Sequence, residues 1–180
     1  GYPFKYNCEV KYALHPEGLL EVETTVTNIG SGSIPIGDGW HPYFKLGGNV
    51  DDWELYFQSS SMLEFDEHLV PTGKLLPYDR FSEPALIGSV KMDNCFVLDS
   101  DEGKTACMLA NPATNITVSF IPDDSYRYLQ IFIPDHRESI AIENLTSAPD
   151  CFNNHMGLVT LAPGTSRTFR VLYHAAQFLK

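Results

Sequence analysis

Long apolar runs, an excess of positive charge and paired cysteine motifs are all missing from this 180-residue sequence. The longest uninterrupted apolar stretch is only a few residues long, which excludes a membrane-spanning helix. Lysine and arginine number 12 against 23 aspartates and glutamates, giving a formal net charge of −11. Because this balance repels a phosphate backbone, it disfavours nucleic acid as a partner.

Cysteine and histidine spacings give no sign of a metal site. Cys8, Cys95, Cys107 and Cys151 show no C-x-x-C spacing, which excludes a zinc ribbon or a thioredoxin-type motif. A chain of this length folds without disulfides, so we expect reduced, buried thiols. No two histidines have the i, i+4 or H-x-H spacing of metal ligands, and a glycine-rich phosphate loop is absent. The sequence therefore predicts neither a metal nor a cofactor.

Alternation of apolar and polar residues with period two is the dominant pattern. Strands are predicted at residues 8–14, 20–26, 116–120, 128–133, 139–143 and 169–173. No long segment repeats at 3.6 residues, and 12 prolines and 13 glycines occur at strand-and-turn spacing. The pattern predicts an all-β protein, with residues 1–180 forming one antiparallel sandwich or barrel domain.

The segment Gly37–Phe44 has the most unusual composition, with two glycines, two titratable side chains and three aromatic rings in eight residues. Pro42 biases the preceding His41 towards an extended backbone, which gives the imidazole a defined direction. A histidine among aromatic rings suits an acid or a base in a sugar pocket. The alternative is a loop histidine that packs against core aromatics.

Two carboxylates lie at predicted strand ends. Glu143 follows the apolar residues Ile140–Ile142 and lies on the face opposite Ile140 and Ile142. If that face is concave, Glu143 points into a cleft; the alternative is a solvated strand residue. Asp93 precedes a strand-like segment, a position at which aspartate often only caps a turn.

Four short motifs, in this order, resemble the aldose 1-epimerase (galactose mutarotase) family. Trp40–Leu46 resembles its His-x-Tyr-Phe-x-Leu segment, and Asp93–Leu98 its Asp-x-x-Phe-Val-Leu segment. Ile142–Asn144 resembles its strand-end glutamate, and Leu161–Gly164 the turn before its last strand. The resemblance implies an antiparallel β-supersandwich. Because family members are much longer, it also implies that this chain is the C-terminal portion of the family fold.

The resemblance implies roles for the singled-out residues. His41 takes the position of the family's general acid, Glu143 that of its general base, and Asp93 that of a residue that contacts sugar hydroxyls. Trp40 and Tyr43 suit the apolar face of a sugar ring. Opening a pyranose requires only that one proton is taken from the C1 hydroxyl and one is given to the ring oxygen. The family's N-terminal part supplies a further histidine and an arginine, which have no counterpart in this chain.

Several hypotheses follow. The first is an isomerase, an aldose 1-epimerase acting on hexoses such as galactose or glucose, or on hexose phosphates. The second is a non-catalytic carbohydrate-binding β-sandwich. The third is an inactive fragment that forms a homodimer through exposed sheet edges. A glycoside hydrolase using Asp93 and Glu143 ranks last, because it leaves His41 without a role. The sequence shows no basic-then-apolar leader, which favours the cytoplasm.

Overall fold

β-Strands make up most of the computed structural model, which describes residues 1–99 and 103–177. The strands are β1 Tyr6–His15, β2 Leu19–Asn28, β3 Ile34–Ile36, β4 Tyr43–Phe44, β5 Glu54–Phe57, β6 Ser61–Phe65, β7 Pro71–Pro77, β8 Ala85–Leu86, β9 Asp93–Val97, β10 Cys107–Asn111, β11 Ile116–Pro122, β12 Tyr128–Phe132, β13 Ile140–Leu145, β14 Val159–Leu161 and β15 Ser166–Gln177. Two 3₁₀ turns, Pro16–Gly18 and Val50–Asp52, and one short helix, α1 at Cys151–Asn154, complete the described elements. None of the described helices has the length and apolarity needed to cross a membrane. The all-β prediction is confirmed.

The strands form three antiparallel sheets. One sheet has seven strands in the order β1-β2-β15-β11-β10-β5-β8, and another has six in the order β4-β13-β12-β9-β6-β7. Strands β14 and β3 form a two-stranded sheet. Many neighbours are distant in sequence; β2 pairs with β15, for example, with Thr24 opposite Phe169.

The two large sheets pack face to face around one apolar core. Both sheets contribute fully buried side chains to it, among them Leu55, Leu109 and Phe120 from the seven-stranded sheet and Phe96, Ile131 and Ile142 from the six-stranded sheet. Each such side chain contributes roughly 1.5–3 kcal/mol when it is taken out of water. Because side chains alternate along a strand, residues next to these point to the opposite face of their sheet. In the six-stranded sheet, that opposite face carries the candidate site.

β1 and β2 form a hairpin, and β1 lies at the edge of the seven-stranded sheet. β1 and β2 pair from Tyr6 opposite Asn28 to His15 opposite Leu19. β2 is flanked by β15 on its other side, whereas β1 has only β2 as a neighbour among the described strands. The inner face of β1 carries Cys8, Val10, Tyr12 and Leu14, and all four residues are exposed.

All four cysteines are free thiols. Cys95 and Cys107 are buried, and burial raises the pKa of the Cys95 thiol to about 12, with a further contribution from the negative charge of Glu143. Cys151 is half-buried and Cys8 is exposed. The expectation of buried thiols is therefore wrong for Cys8, because it lies on the edge strand β1.

Candidate active site

His41 is carried by a loop that runs along the edge of the six-stranded sheet, next to β13. Gly39 forms an isolated bridge with Leu145, and the Ile142 N–H donates to the Pro42 carbonyl oxygen at 3.4 Å. A Cβ at Gly39 would lie 2.6 Å from Leu145 Cδ2, so glycine allows the loop to approach this closely. The loop then continues as β4, which also pairs with β13. His41 is thus fixed beside the strand that carries Glu143.

His41 and Glu143 lie within ion-pairing distance of each other. His41 Nε2 lies 3.1 Å from Glu143 Oε1. The Tyr43 ring stacks on the imidazole, with ring centroids 5.2 Å apart and an angle of 26° between the planes. Glu143 is only 8% exposed, whereas the side chain of His41 is 56% exposed. The carboxylate therefore forms the floor of the site, and the imidazole stands at its rim.

The surroundings of Glu143 make it a stronger base than an ordinary glutamate. Burial raises the pKa of Glu143, because desolvation disfavours the charged form. The neighbouring His41 opposes this shift and lowers the pKa, whereas the negative charge of Asp93 raises it further. The net direction is upward. Perturbed carboxylates of this kind cluster at functional sites.

Gln130 links Glu143 and Asp93 into a polar row across the sheet. It lies opposite Glu143 on the neighbouring strand β13 and opposite Cys95 on β9. Its Nε2 donates to Asp93 Oδ1 at 2.9 Å. Its Oε1 is buried and has no hydrogen-bond partner among the described residues. We did not predict Gln130, although it is the one polar side chain within the apolar run 128–133.

A cavity of about 200 Å³ adjoins this row. Its lining consists of Phe65, Leu69, Asp93, Gln130 and Pro149. The polar row therefore ends at a cavity whose wall also carries apolar side chains. Such a mixture is typical of a pocket for a small polar molecule that also has an apolar face.

Trp40 lies on the other side of the loop, away from Glu143. Its ring contacts Tyr12 edge-on, with centroids 5.9 Å apart. Trp40 also lines an apolar cavity of about 400 Å³ together with Tyr12 and Tyr173. The predicted contact between Trp40 and a sugar at Glu143 has no support in this geometry, because alternation turns His41 and Tyr43 to one side and Trp40 and Pro42 to the other.

Among residues 1–99 and 103–177, no three histidine, cysteine, aspartate or glutamate side chains converge as a ligand set for a metal ion. The chemistry that the described groups offer is proton transfer. A buried carboxylate and an exposed imidazole lie in contact, and an amide and a second carboxylate are placed to bind hydroxyl groups.

Comparison with known proteins gives both sequence and structural relatives. A family model described as Aldose 1-epimerase matches residues 1–174. The uncharacterized protein YihR of Escherichia coli K12 is 28% identical over 171 residues, which cover 91% of this chain and 54% of YihR. The uncharacterized protein YphB of the same organism is 28% identical over 177 residues, which cover 91% of this chain and 58% of YphB. The chain thus spans little more than half the length of these curated relatives.

Solved structures show the same fold. A galactose mutarotase-like protein from Clostridium acetobutylicum superimposes with a TM-score of 0.85 at 20% identity, over 98% of this chain and 58% of that protein. Galactose 1-epimerase from Lactobacillus acidophilus superimposes with a TM-score of 0.83 at 17% identity, over 99% of this chain and 59% of that protein. The predicted mutarotase-like β-supersandwich is confirmed, and, since the family model spans nearly the whole sequence, the chain belongs to the aldose 1-epimerase family.

Proposed function

We propose that this chain carries the acid–base site of an aldose 1-epimerase, an isomerase that interconverts the α and β anomers of hexoses such as galactose or glucose. The observation that supports the proposal is the 3.1 Å contact between His41 Nε2 and Glu143 Oε1. The two oxygens that must exchange protons, the C1 hydroxyl and the ring oxygen, are bonded to the same carbon. The acid and the base must therefore lie close together, as His41 and Glu143 do.

The reaction needs two proton transfers in each direction. Ionised Glu143 takes the proton of the C1 hydroxyl, and cationic His41 gives a proton to the ring oxygen as the bond from C1 to that oxygen breaks. The open-chain aldehyde then rotates about the bond between C1 and C2. Ring closure on the other face of the aldehyde returns one proton to His41 and one from Glu143 to the C1 oxygen. Both groups end in their starting states, so the cycle needs no cofactor.

The residues beside His41 and Glu143 bind the sugar in this proposal. Tyr43 is exposed and stacked on His41, so its ring is available to the apolar face of a pyranose. Asp93 and Gln130 are joined to each other and offer acceptors to the hydroxyl groups. The imidazolium that protonates the ring oxygen has the Glu143 carboxylate as its counter-charge.

The test is anomer exchange measured by proton NMR with glucose and galactose. We expect the Glu143→Gln variant to lose about 10²–10⁴-fold in exchange rate, which is the usual contribution of a positioned acid or base. Sugar binding should survive, because the amide keeps the shape of the side chain. Glu138→Gln is the matched control, since Glu138 is a surface glutamate paired with Lys45. Unaccelerated exchange by the folded, unmutated chain would contradict the proposal.

Carbohydrate binding without turnover is a second candidate function. It is favoured by the fact that the chain spans only 54% and 58% of its curated relatives, because a complete site could need residues from their unmatched parts. Saturable, sugar-dependent shifts in the same spectra, together with uncatalysed exchange, would establish this candidate in place of the enzyme.

A further inference from the structure

A cavity of about 210 Å³ lies beside β1, β2 and α1 and shares no lining residue with the cavity at the end of the polar row. Asp38 and Thr24 line one part of it, and the aromatic rings of Tyr2, Tyr6 and Phe152 line another. These three aromatic residues are between 38% and 53% exposed, so the cavity is accessible from solvent on their side. Since an apolar cavity of roughly 150 Å³ holds a benzene ring, this one is large enough for a small organic molecule.

The Asp38 carboxylate is fixed on the side of its loop that faces away from the acid–base pair. The Asp38 N–H donates to Thr146 Oγ1 at 2.9 Å, and its carbonyl oxygen accepts from the Thr146 N–H at 3.0 Å. Its Oδ2 accepts a hydrogen bond from the Tyr126 hydroxyl at 2.6 Å. Because residues alternate along the loop, Asp38 shares a side with Trp40 and not with His41. The proposed mechanism therefore gives this carboxylate no role.

Asp38 is a partly buried carboxylate without a positive charge beside it. Desolvation raises the pKa of Asp38, the hydroxyl groups of Tyr126 and Thr24 lower it, and the negative charge of Asp123 raises it, with a net direction upward. Within residues 1–99 and 103–177, no lysine, arginine or histidine is among the groups that act on this carboxylate. Charges taken out of water are ordinarily paired with an opposite charge, so the missing partner points to a cationic ligand.

The polar atoms at this cavity offer lone pairs to a ligand and few free donors. Thr24 is 3% exposed, and its Oγ1 has no partner at full hydrogen-bond geometry in the described part of the chain. Its proton can point at the Asp38 carboxylate, which leaves the oxygen free to accept. The Tyr2 hydroxyl already donates to the Pro35 carbonyl oxygen at 2.6 Å. A site of this kind suits a primary ammonium group, which has three N–H donors and no acceptor.

The aromatic rings at the cavity suit the same kind of ligand. The Tyr2 ring meets the Tyr6 ring edge-on, with centroids 5.4 Å apart, and stacks on the Phe152 ring with centroids 6.3 Å apart. The faces of aromatic rings attract cations. Val26 and Ile36 add apolar lining, which favours a ligand with an apolar carbon body. The formal net charge of −11 also attracts cations to the molecule.

We propose that this cavity binds a small organic cation, namely a primary ammonium group on an apolar body about the size of one ring. The ammonium group donates hydrogen bonds to the Asp38 carboxylate and to Thr24 Oγ1. The apolar body packs against the rings of Tyr2, Tyr6 and Phe152. This binding site is separate from the acid–base pair and does not depend on the proposed function.

The experiment is an NMR titration at neutral pH with benzylammonium and with benzyl alcohol, its uncharged counterpart of nearly the same shape. We expect the dissociation constant of benzylammonium to be about tenfold lower, which is the order of one hydrogen bond to a charged group. Asp38→Asn should bring the two constants together to within about twofold, and the asparagine oxygen can still accept from the Tyr126 hydroxyl. Asp124→Asn is the matched control, because it removes the same charge at an exposed position, and it should preserve the difference.

The comparison of the two ligands on the unmutated chain decides the proposal even if Asp38→Asn fails to fold. Equal dissociation constants, or no saturable shifts with benzylammonium, would overturn it. Binding of benzylammonium that persists unchanged in Asp38→Asn would also overturn it. The Glu143→Gln variant should bind benzylammonium as the unmutated chain does. Loss of binding in that variant would place the cation at the acid–base pair and reject the separate site.

Discussion

Glu143 is a carboxylate in an almost fully buried position, and its placement there disfavours its charged form. The charge of His41 offsets part of this cost, and the negative charge of Asp93 adds to it. A leucine or an isoleucine at the same place would bury apolar surface without that cost. The arrangement is understandable if the raised pKa is itself useful, as it is for a base that must hold a proton briefly.

The raised pKa of Glu143 predicts a pH dependence. The base acts when it is ionised, so kcat/KM should rise with pH through the pKa of Glu143, at a midpoint above the ordinary glutamate value of about 4.3. Asp93 raises that pKa, so Asp93→Asn should move the midpoint to lower pH, whatever it does to the maximum rate.

The measurement is the pH profile of anomer exchange for the unmutated chain and for Asp93→Asn. Asp135→Asn serves as the control, because Asp135 is a highly exposed aspartate paired with Lys91. If the midpoint of the rise in kcat/KM stays in place or moves to higher pH in Asp93→Asn, then Asp93 does not act on Glu143 as its charge predicts.

The sequence predicts on which face of its strand a residue lies better than it predicts which residues meet in the site. Alternation correctly placed Glu143 on the face opposite Ile140 and Ile142, which lie in the core. No spacing could show that His41, about a hundred residues earlier, meets Glu143, because that contact depends on pairing between β4 and β13. The orientation of Trp40 was also beyond reach, since an irregular loop has no reliable period.

At the scale of elements, strands with clean alternation were predicted and short strands were not. The predicted segments at 8–14, 20–26 and 116–120 all lie within observed strands. The strands β5 to β8, by contrast, were not predicted individually. They are two to seven residues long, too short or too irregular for periodicity to separate them from loops. Pairing partners such as β2 and β15 are set by the packing of the whole fold.

The connection between β12 and β13 depends on Arg137. These two strands carry Gln130 and Glu143, and Arg137 fixes the turn between them. Its guanidinium donates to the Asp51 carboxylate and, at 2.7 Å, to the Gly88 carbonyl oxygen. Its own carbonyl oxygen accepts from the Val50 N–H at 2.9 Å. The side chain is largely buried, so these bonds are poorly replaced by water.

We therefore expect Arg137→Ala to lower the free energy of unfolding by about 1–3 kcal/mol, because the Asp51 carboxylate loses its partner. Arg137→Lys should recover only part of this loss, since a lysine cannot supply the same planar fork of donors. Urea denaturation measures both variants, and Arg170→Ala, at an exposed arginine on β15, is the control. A free energy of unfolding for Arg137→Ala within about 0.5 kcal/mol of the unmutated chain would show that this turn is held by other contacts.

At the scale of the whole molecule, the inner face of β1 is an apolar surface without a cover among the described residues. Val10, Tyr12 and Leu14 project from it, and Leu14 is 80% exposed. The apolar cavity behind Trp40 and Pro42 opens beneath the same strand. Exposed apolar surface of this kind, next to an unpaired strand edge, favours association with further polypeptide.

The last prediction is that the 180-residue chain associates with itself through β1. A second copy can pair its own β1 with the free edge and cover the exposed side chains, which gains both backbone hydrogen bonds and apolar burial. Sedimentation velocity should then show a mass that rises from monomer to dimer with concentration. Val10→Lys combined with Leu14→Lys should keep the chain monomeric, because lysines on an edge strand oppose pairing. Leu86→Lys is the control, since Leu86 is an exposed leucine on β8, and it should leave the association unchanged. A monomer at every concentration would contradict the prediction.

Because Trp40 and Pro42 flank His41 and line the cavity under β1, covering this face should also stiffen the loop that carries His41. Anomer exchange per chain should therefore rise with association and fall in the double lysine variant.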